Sequence, residues 1–365
     1  MNKIVFDTKY YKKVILDNGY DPVHYELGEL NFSLGKLTKE ELNTKFLCHS
    51  KANKFAQNYK KGANSLVCTG IGLSGVPHVG TLMQIERAIY LQHSGLPVQF
   101  ILGDLDSQNG KGTSPEYTKE LVEKYSIFIT ELGFKDEKPS ILRSQNPYNT
   151  LHQKDAFDTL LSMYELGFYM KDEYFEEAKE DLHEFYARHG KVDADPKMSF
   201  RRRLSLALMI ADFGNQMIRN NTSNIMVTLG IDEHSYVKMA QLVIDGLIND
   251  HSNYSNLHLA GIYTPMISGL FGASKMSKSI PNSGIYADMN EEQIRNCVLE
   301  GEYPRKNGSD PRSNPVYQMI SNITDFDTSE MYSIFESCKS HNKKWVECKE
   351  NLAEILIDKF KRWPK

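Results

Sequence analysis

With 365 residues, the chain is long enough to bury at least one large core and to form two or three structural units. Its 40% hydrophobic and 25% charged residues are the composition of an ordinary soluble globular protein. A net charge of −4 excludes a protein that coats nucleic acid through bulk charge, while leaving room for a local basic surface.

The first twenty residues lack the apolar core of a signal peptide, and no uninterrupted apolar run is long enough to cross a bilayer. The cysteines (Cys48, Cys68, Cys297, Cys338, Cys348) are odd in number and lack CxxC spacing. Neither a zinc site nor a disulfide framework is expected, and a reducing, cytoplasmic setting without a membrane partner fits. Residues 1–63 read as a helix-rich extension, with a capped helix start at Thr38 followed by Glu41 three residues on.

Ser65 to Gly70 reads as a buried strand running into a Gly-rich turn, and Thr81 to Ser94 as a helix. A second strand, Pro97 to Gly103, ends in Asp104-Leu105-Asp106, which completes the strand–helix–strand pattern of a parallel sheet. Helices are expected over roughly Tyr117–Leu132 and Leu151–Met163. The charged passage from Lys171 to Lys197 looks like a solvated insertion between the halves of a nucleotide fold. Beyond it come a helix from about Phe200 to Ile218, a strand at Ile225–Leu229, a helix from His234 to Leu247 and a short strand at His258–Gly261. From Glu291 onward the pattern is helical, ending in a basic stretch around Lys359 to Arg362.

Two separated segments carry chemistry. Glycines in Thr69-Gly70-Ile71-Gly72-Leu73-Ser74-Gly75-Val76-Pro77-His78-Val79-Gly80-Thr81 let backbone approach a phosphate at a helix N-terminus, with His78 alongside. Glycine spacing alone fits a plain strand–turn–helix joint equally well, and the spacing is that of neither a P-loop nor a dehydrogenase. Far downstream, Ser274-Lys275-Met276-Ser277-Lys278-Ser279 places two ammonium groups on a mobile loop, suited to charge that builds on a leaving pyrophosphate. Together they suggest an ATP site assembled from two halves. Between them, Gly230-Ile231-Asp232-Glu233 lies at a strand-to-helix joint, where an acid serves as a helix cap, as an acceptor for a ribose diol, or as both.

In this order and spacing, these segments resemble the class I aminoacyl-tRNA synthetases: Thr69–Thr81 their HIGH region, Gly230–Asp232 their GxD ribose site, and Lys275–Ser279 their KMSKS loop. More narrowly, they resemble the tyrosyl/tryptophanyl subgroup, over about residues 65–290. The resemblance implies an α/β fold: a Rossmann-type, doubly wound parallel sheet over residues 64–290, split by a connective insertion at about 115–197. A helical C-terminal domain over 291–365 would follow. It also implies amino-acid activation by Mg2+-ATP through an aminoacyl-adenylate, transfer to tRNA, and a homodimer with contacts near residues 117–165. Tryptophan stands slightly ahead of tyrosine as the substrate. A paralogue serving a non-tRNA acceptor and a non-catalytic binding module are the alternatives.

By the same resemblance, His78, Lys275 and Lys278 are the catalytic candidates. Gly70, Gly72, Ser74, Gly75, Gly80, Thr81, Gly230, Asp232, Met276 and Ser277 join them around ATP. Thr81 replaces the second histidine of the HIGH pattern, Glu233 the usual Gln after GxD, and Cys68 the Tyr that lines the pocket of aromatic-specific members. Asp104, Asp106 and Gln108, at the carboxyl end of the second strand, are substrate-binding candidates with Cys68. Asp212 and Gln216, one turn apart on the helix before the GxD strand, complete the set. Surface or capping roles are the alternative for each. Arg201-Arg202-Arg203, Trp345 and Trp363 are weighed as tRNA contacts against a solvated helix start and core packing.

Overall fold

Alternating residues along the strands face opposite ways, and this period of two builds a helical layer on each side of one sheet. The computed structural model describes residues 8–23, 27–28, 30–188, 197–273, 276, 282–302, 310–324 and 326–365. It begins with α1 (Thr8–Asn18), β1 (Asp21–Pro22), α2 (Lys39–Lys45), β2 (Cys48–Ser50) and α3 (Ala52–Lys60). Next come β3 (Ser65–Gly72), α4 (Val79–His93), β4 (Val98–Gly103), α5 (Asp104–Lys111), α6 (Pro115–Leu132) and β5 (Ile141–Ser144). These lead to α7 (Gln153–Gly167), α8 (Asp172–Arg188), α9 (Phe200–Arg219), β6 (Asn224–Gly230), α10 (His234–Asp250) and β7 (His258–Thr264). The C-terminal helices are α11 (Glu291–Glu300), α12 (Pro315–Ile323), α13 (Thr328–Ser340) and α14 (Lys343–Phe360).

The sheet has seven strands in the order β1-β2-β7-β6-β3-β4-β5. Strands β7, β6, β3, β4 and β5 are parallel, and β2 adds to β7 antiparallel. Val67, Met226, Ala260 and Ile262 face a core shared by α2–α4, α6 and the C-terminal helices. Leu66, Cys68, Ile225, Val227 and Leu259 face α1 and α7–α10. From β3 the chain moves outward through α4 to β4 and α6 to β5; α9 then brings it back past β3 to β6. Strand order therefore reverses between β3 and β6, where ligands bind in open α/β sheets.

Local signals account for several element ends. Thr38 caps α2 in a reciprocal box with Glu41. Ser114 and Pro115 start α6, and Gly133, at φ 119°, ends it. Three expectations change. The 115–197 stretch carries α6 and β5, and β5 pairs with β4, so its first part belongs to the sheet. Its charged passage forms α8 up to Arg188, and residues 189–196 lie outside the described set. That helix is not wholly solvated: Phe175 and Ala178 are buried, while Glu177 pairs with Lys238 of α10. Residues 1–63 also contribute β1 and β2 to the sheet edge, strands too short to show a period.

Candidate functional site

The crevice follows from where the strand pairing stops. The β3–β6 register ends at Cys68↔Val227, whereas β3 stays paired with β4 to Gly72↔Gly103 and β6 with β7 to Gly230↔Thr264. Past Cys68 the two central strands diverge. Thr69 Oγ1 closes the floor by donating to the Thr228 carbonyl at 2.9 Å, and Gln84 Nε2 donates to Thr69 Oγ1 at 3.2 Å.

One wall is the glycine loop. At Gly70 a Cβ would lie 2.7 Å from the Ile101 carbonyl oxygen, and at Gly80 the same distance from the His78 ring, so neither position accepts a side chain. Gly75 takes φ +123° and its carbonyl accepts from Tyr125 Oη at 2.9 Å. Gly72 and Ser74 are exposed. His78 is the N-cap of α4: its Nδ1 accepts from the Thr81 N–H at 3.3 Å. That bond assigns the ring proton to Nε2, a tautomer suited to donating to a phosphate oxygen. Across the crevice, a Cβ on Gly230 would collide with a carboxylate oxygen of Asp232, so the glycine lets that carboxylate fold back over the strand end.

The glycine loop pairs with the segment around Tyr286. The Val79 N–H donates to the Ile285 carbonyl and the Ala287 N–H to the Pro77 carbonyl, both at 3.0 Å, so that His78 and Tyr286 form a bridge. Their rings stand edge to face at 6.2 Å. Met276 is buried in the core that contains Val79 and Ile285. Lys275, Ser277 and Lys278 lie outside the described residues.

The proposed substrate residues separate into groups. Cys68, Asp212 and Gln216 share one polar layer between the sheet and α9. Arg143 Nη2, on β5, reaches Asp212 Oδ1 at 2.8 Å, and Gln145 Nε2 reaches the other carboxylate oxygen at 2.6 Å. Gln99 Nε2 donates to the Asp212 carbonyl at 2.9 Å and to Cys68 Sγ at 3.6 Å, and Gln216 Nε2 donates to Gln99 Oε1 at 3.1 Å. Burial pushes the Cys68 thiol up to about 12. Burial also raises the Asp212 carboxyl, and Arg143 opposes the shift.

Asp104 instead holds the turn after β5: its carboxylate accepts from the Leu105, Gln145 and Asn146 N–H groups and from Asn149 Nδ2. Gln108 turns to Thr118 of α6 at 2.6 Å, and Asp106, raised by burial, bonds Ser205. Arg203 pairs with Asp172 and Glu176 of α8. Trp345 and Trp363 are buried in the core. Arg143 and Gln145 escaped the sequence reading because β5 spans only four residues, and Gln99, on the recognised strand β4, because its partners lie on distant elements. An arginine inside the apolar run Ile141-Leu142-Arg143 is the signal that marks it.

The family model for tRNA synthetases class I (W and Y) matches residues 60–361. The chain belongs to this family. It is thus a ligase of the aminoacyl-tRNA synthetase kind, and ATP use comes with the family. The tryptophan–tRNA ligase of Methanocaldococcus jannaschii is 22% identical, covering 96% of this chain and 90% of that one. The crystal structure of the tryptophanyl-tRNA synthetase of Aeropyrum pernix aligns with a TM-score of 0.71 at 19% identity, covering 98% of this chain and 92% of that one. The tyrosyl-tRNA synthetase of Archaeoglobus fulgidus, solved with L-tyrosine, gives 0.65 at 16%, covering 86% and 93%. The aligned structures share the fold built on the β3–β6 sheet.

Proposed function

We propose that this synthetase activates tryptophan with Mg2+-ATP and transfers it to tRNA, with tyrosine the next substrate to test. The pairing of residues 77–79 with 285–287 supports the reading, because it sets the glycine loop against the segment that follows Met276 in the chain. The amino-acid carboxylate attacks the α-phosphate, a new C–O–P bond forms, and the α–β bond breaks to release pyrophosphate. A hydroxyl of the terminal tRNA ribose then displaces AMP. Neither step needs a protein nucleophile; positioning and charge stabilisation supply the rate. His78 Nε2–H serves phosphate oxygens, Asp232 the ribose, and Lys275 and Lys278 the leaving pyrophosphate. Mg2+ arrives on the ATP oxygens.

ATP–pyrophosphate exchange across all amino acids tests this reading. Exchange supported by tryptophan is the expected result, and exchange with none of them sinks it. Charging of total tRNA after activation separates a tRNA ligase from an enzyme with another acceptor.

The second copy expected of this subgroup has a fitting surface on α7. Phe157, Leu161, Tyr164 and Phe168 are exposed at 4-3-4 spacing, one apolar seam, while Ala156, Thr159 and Leu166 turn inward. Tyr148 extends the seam, its ring 6.1 Å from Phe157. A dimer in sedimentation that becomes monomeric in the Leu161→Glu variant supports this assignment; a wild-type monomer at micromolar concentration opposes it. Among the described residues no helix is long and apolar enough to cross a membrane, and a cytoplasmic location is part of the proposal.

A further inference from the structure

The turn that carries Asp232 is tied to the N-terminal segment of the chain. It runs from Ile231 to Glu233 and leads directly into His234, the first residue of α10, whose N–H closes it on the Ile231 carbonyl. Gly230, at the head of the turn, has no side chain with which to cap it. His234 is buried, and its Nδ1 lies 3.1 Å from the hydroxyl of Tyr20, 214 residues earlier.

Local sequence fixes Tyr20 itself. Gly19, at φ +62°, ends α1, and the Tyr20 N–H returns to the Ile15 carbonyl at 2.9 Å, the closing bond of a Schellman motif. Pairing of Asp21 and Pro22 with β2 holds the other side. The buried phenol therefore sits in the core beside β7. Its ring lies 5.0 Å from that of Tyr263 and meets the His234 ring edge to face at 5.7 Å. Burial pushes the phenol up, so its hydroxyl stays protonated and donates to Nδ1. Tyr11 of α1 gives the contrast: its hydroxyl accepts from the Met266 N–H at 3.2 Å, on a different segment from the Asp232 turn.

We infer that Tyr20 is a positioning residue for the ribose: through His234 it fixes the turn that presents the Asp232 carboxylate, which makes the N-terminal segment a working part of the nucleotide site. The inference rests on the proposed role of Asp232. An acid already held in place meets the ribose diol without an ordering cost. Because Tyr20 acts through the turn, its effect follows the ribose hydroxyls and not the rest of the nucleotide.

Titration of the full chain with Mg2+-ATP and with Mg2+-dideoxy-ATP, which lacks both ribose hydroxyls, tests this without reference to the amino acid. Wild type should prefer ATP. Tyr20→Phe keeps the ring and removes the hydroxyl; it should weaken ATP by about threefold to tenfold and leave dideoxy-ATP unchanged. Asp232→Asn should narrow the same preference, and adding Tyr20→Phe to it should have no further effect. Tyr11→Phe, which removes a hydroxyl from α1 itself, should leave the preference at the wild-type value. An equal loss of both nucleotides in Tyr20→Phe would make the tyrosine a packing residue and overturn the inference. Unchanged binding of both, additive losses in the double variant, or a wild type indifferent to the ribose hydroxyls would overturn it as well. Exchange by the wild type across all amino acids separately decides the adenylation reading, so the two failures remain distinct.

Discussion

His78 has a structural duty and a proposed chemical one, and substitution can separate them. Its Nδ1 caps α4 through the Thr81 N–H, and the proposed function assigns the nucleotide to Nε2–H. Asparagine is among the best N-cap residues, whereas alanine loses the cap at about 1 kcal/mol. His78→Asn is therefore expected to keep the unfolding midpoint close to wild type, and His78→Ala to lower it. Both should lose exchange activity by roughly a hundredfold or more. If His78→Asn keeps full exchange, the imidazole does no chemistry and the histidine is a cap alone. Cys68 yields a simpler expectation. A thiol pushed up to about 12 by burial contributes almost no thiolate near neutrality. Alkylation of the native protein, followed by peptide mass analysis, should mark the partly exposed Cys297 and Cys348 well before Cys68.

Between elements, the Arg143–Asp212 pair joins β5 to α9 with side chains 0% and 2% exposed. Removing one member of a buried pair strands the other charge, at about 3–5 kcal/mol. Arg143→Met should thus destabilise the chain strongly in urea titration, whereas Arg143→Met combined with Asp212→Leu should recover much of the loss. A double variant no more stable than the single one would show that the pair is not the source of the cost. This layer also marks the boundary of what the sequence makes legible. Strands β3, β4, β6 and β7 and their helices announce themselves through apolar runs and caps, and the glycine loop and Gly230–Asp232 through the joints they occupy. By contrast, β5 is four residues long, and α5 begins at the very end of β4 without a connecting turn, so neither has a period to read. The partners of Asp104 and Asp212 lie 41 and 69 residues away along the chain, separations at which a single sequence carries no contact information. Asp104 thus looked like a ligand-binding acid and proved to be committed to a turn.

At the scale of the molecule, segments from both ends of the chain are tied to the sheet and its glycine loop. His49 on β2 is buried beside β1, with its Nδ1 3.9 Å from Asp21 and accepting from the Ala52 N–H at 3.3 Å. Burial lowers it to about 4. Below pH 6.5 the unfolded chain takes up a proton that the folded site refuses, so stability falls as pH drops from 6.5 to 4, by up to about 3 kcal/mol. His49→Asn, measured by urea titration across that range, should flatten this slope; an unchanged slope would assign it to other groups. The C-terminal helices pack in the same core and reach α4 and α6. Arg87 of α4 donates to Asn322 of α12 at 2.6 Å, and Lys359 of α14 pairs with Glu86 at 2.6 Å. Trp363 packs edge to face on Tyr125 at 4.8 Å and on Phe128 at 5.5 Å. Tyr125 in turn donates its hydroxyl to the Gly75 carbonyl, so an indole beyond α14 supports the glycine loop proposed to begin the nucleotide site. Trp363→Ala should cost about 3–5 kcal/mol through the lost packing and also raise the KM for ATP. Tyr125→Phe keeps the ring stack and removes only the hydroxyl, at about 1 kcal/mol. If the KM for ATP rises in both variants while the amino-acid KM stays put, the Trp363–Tyr125–Gly75 chain positions the loop. A rise confined to Trp363→Ala would make the indole a packing residue whose loss reaches the site only through general loosening.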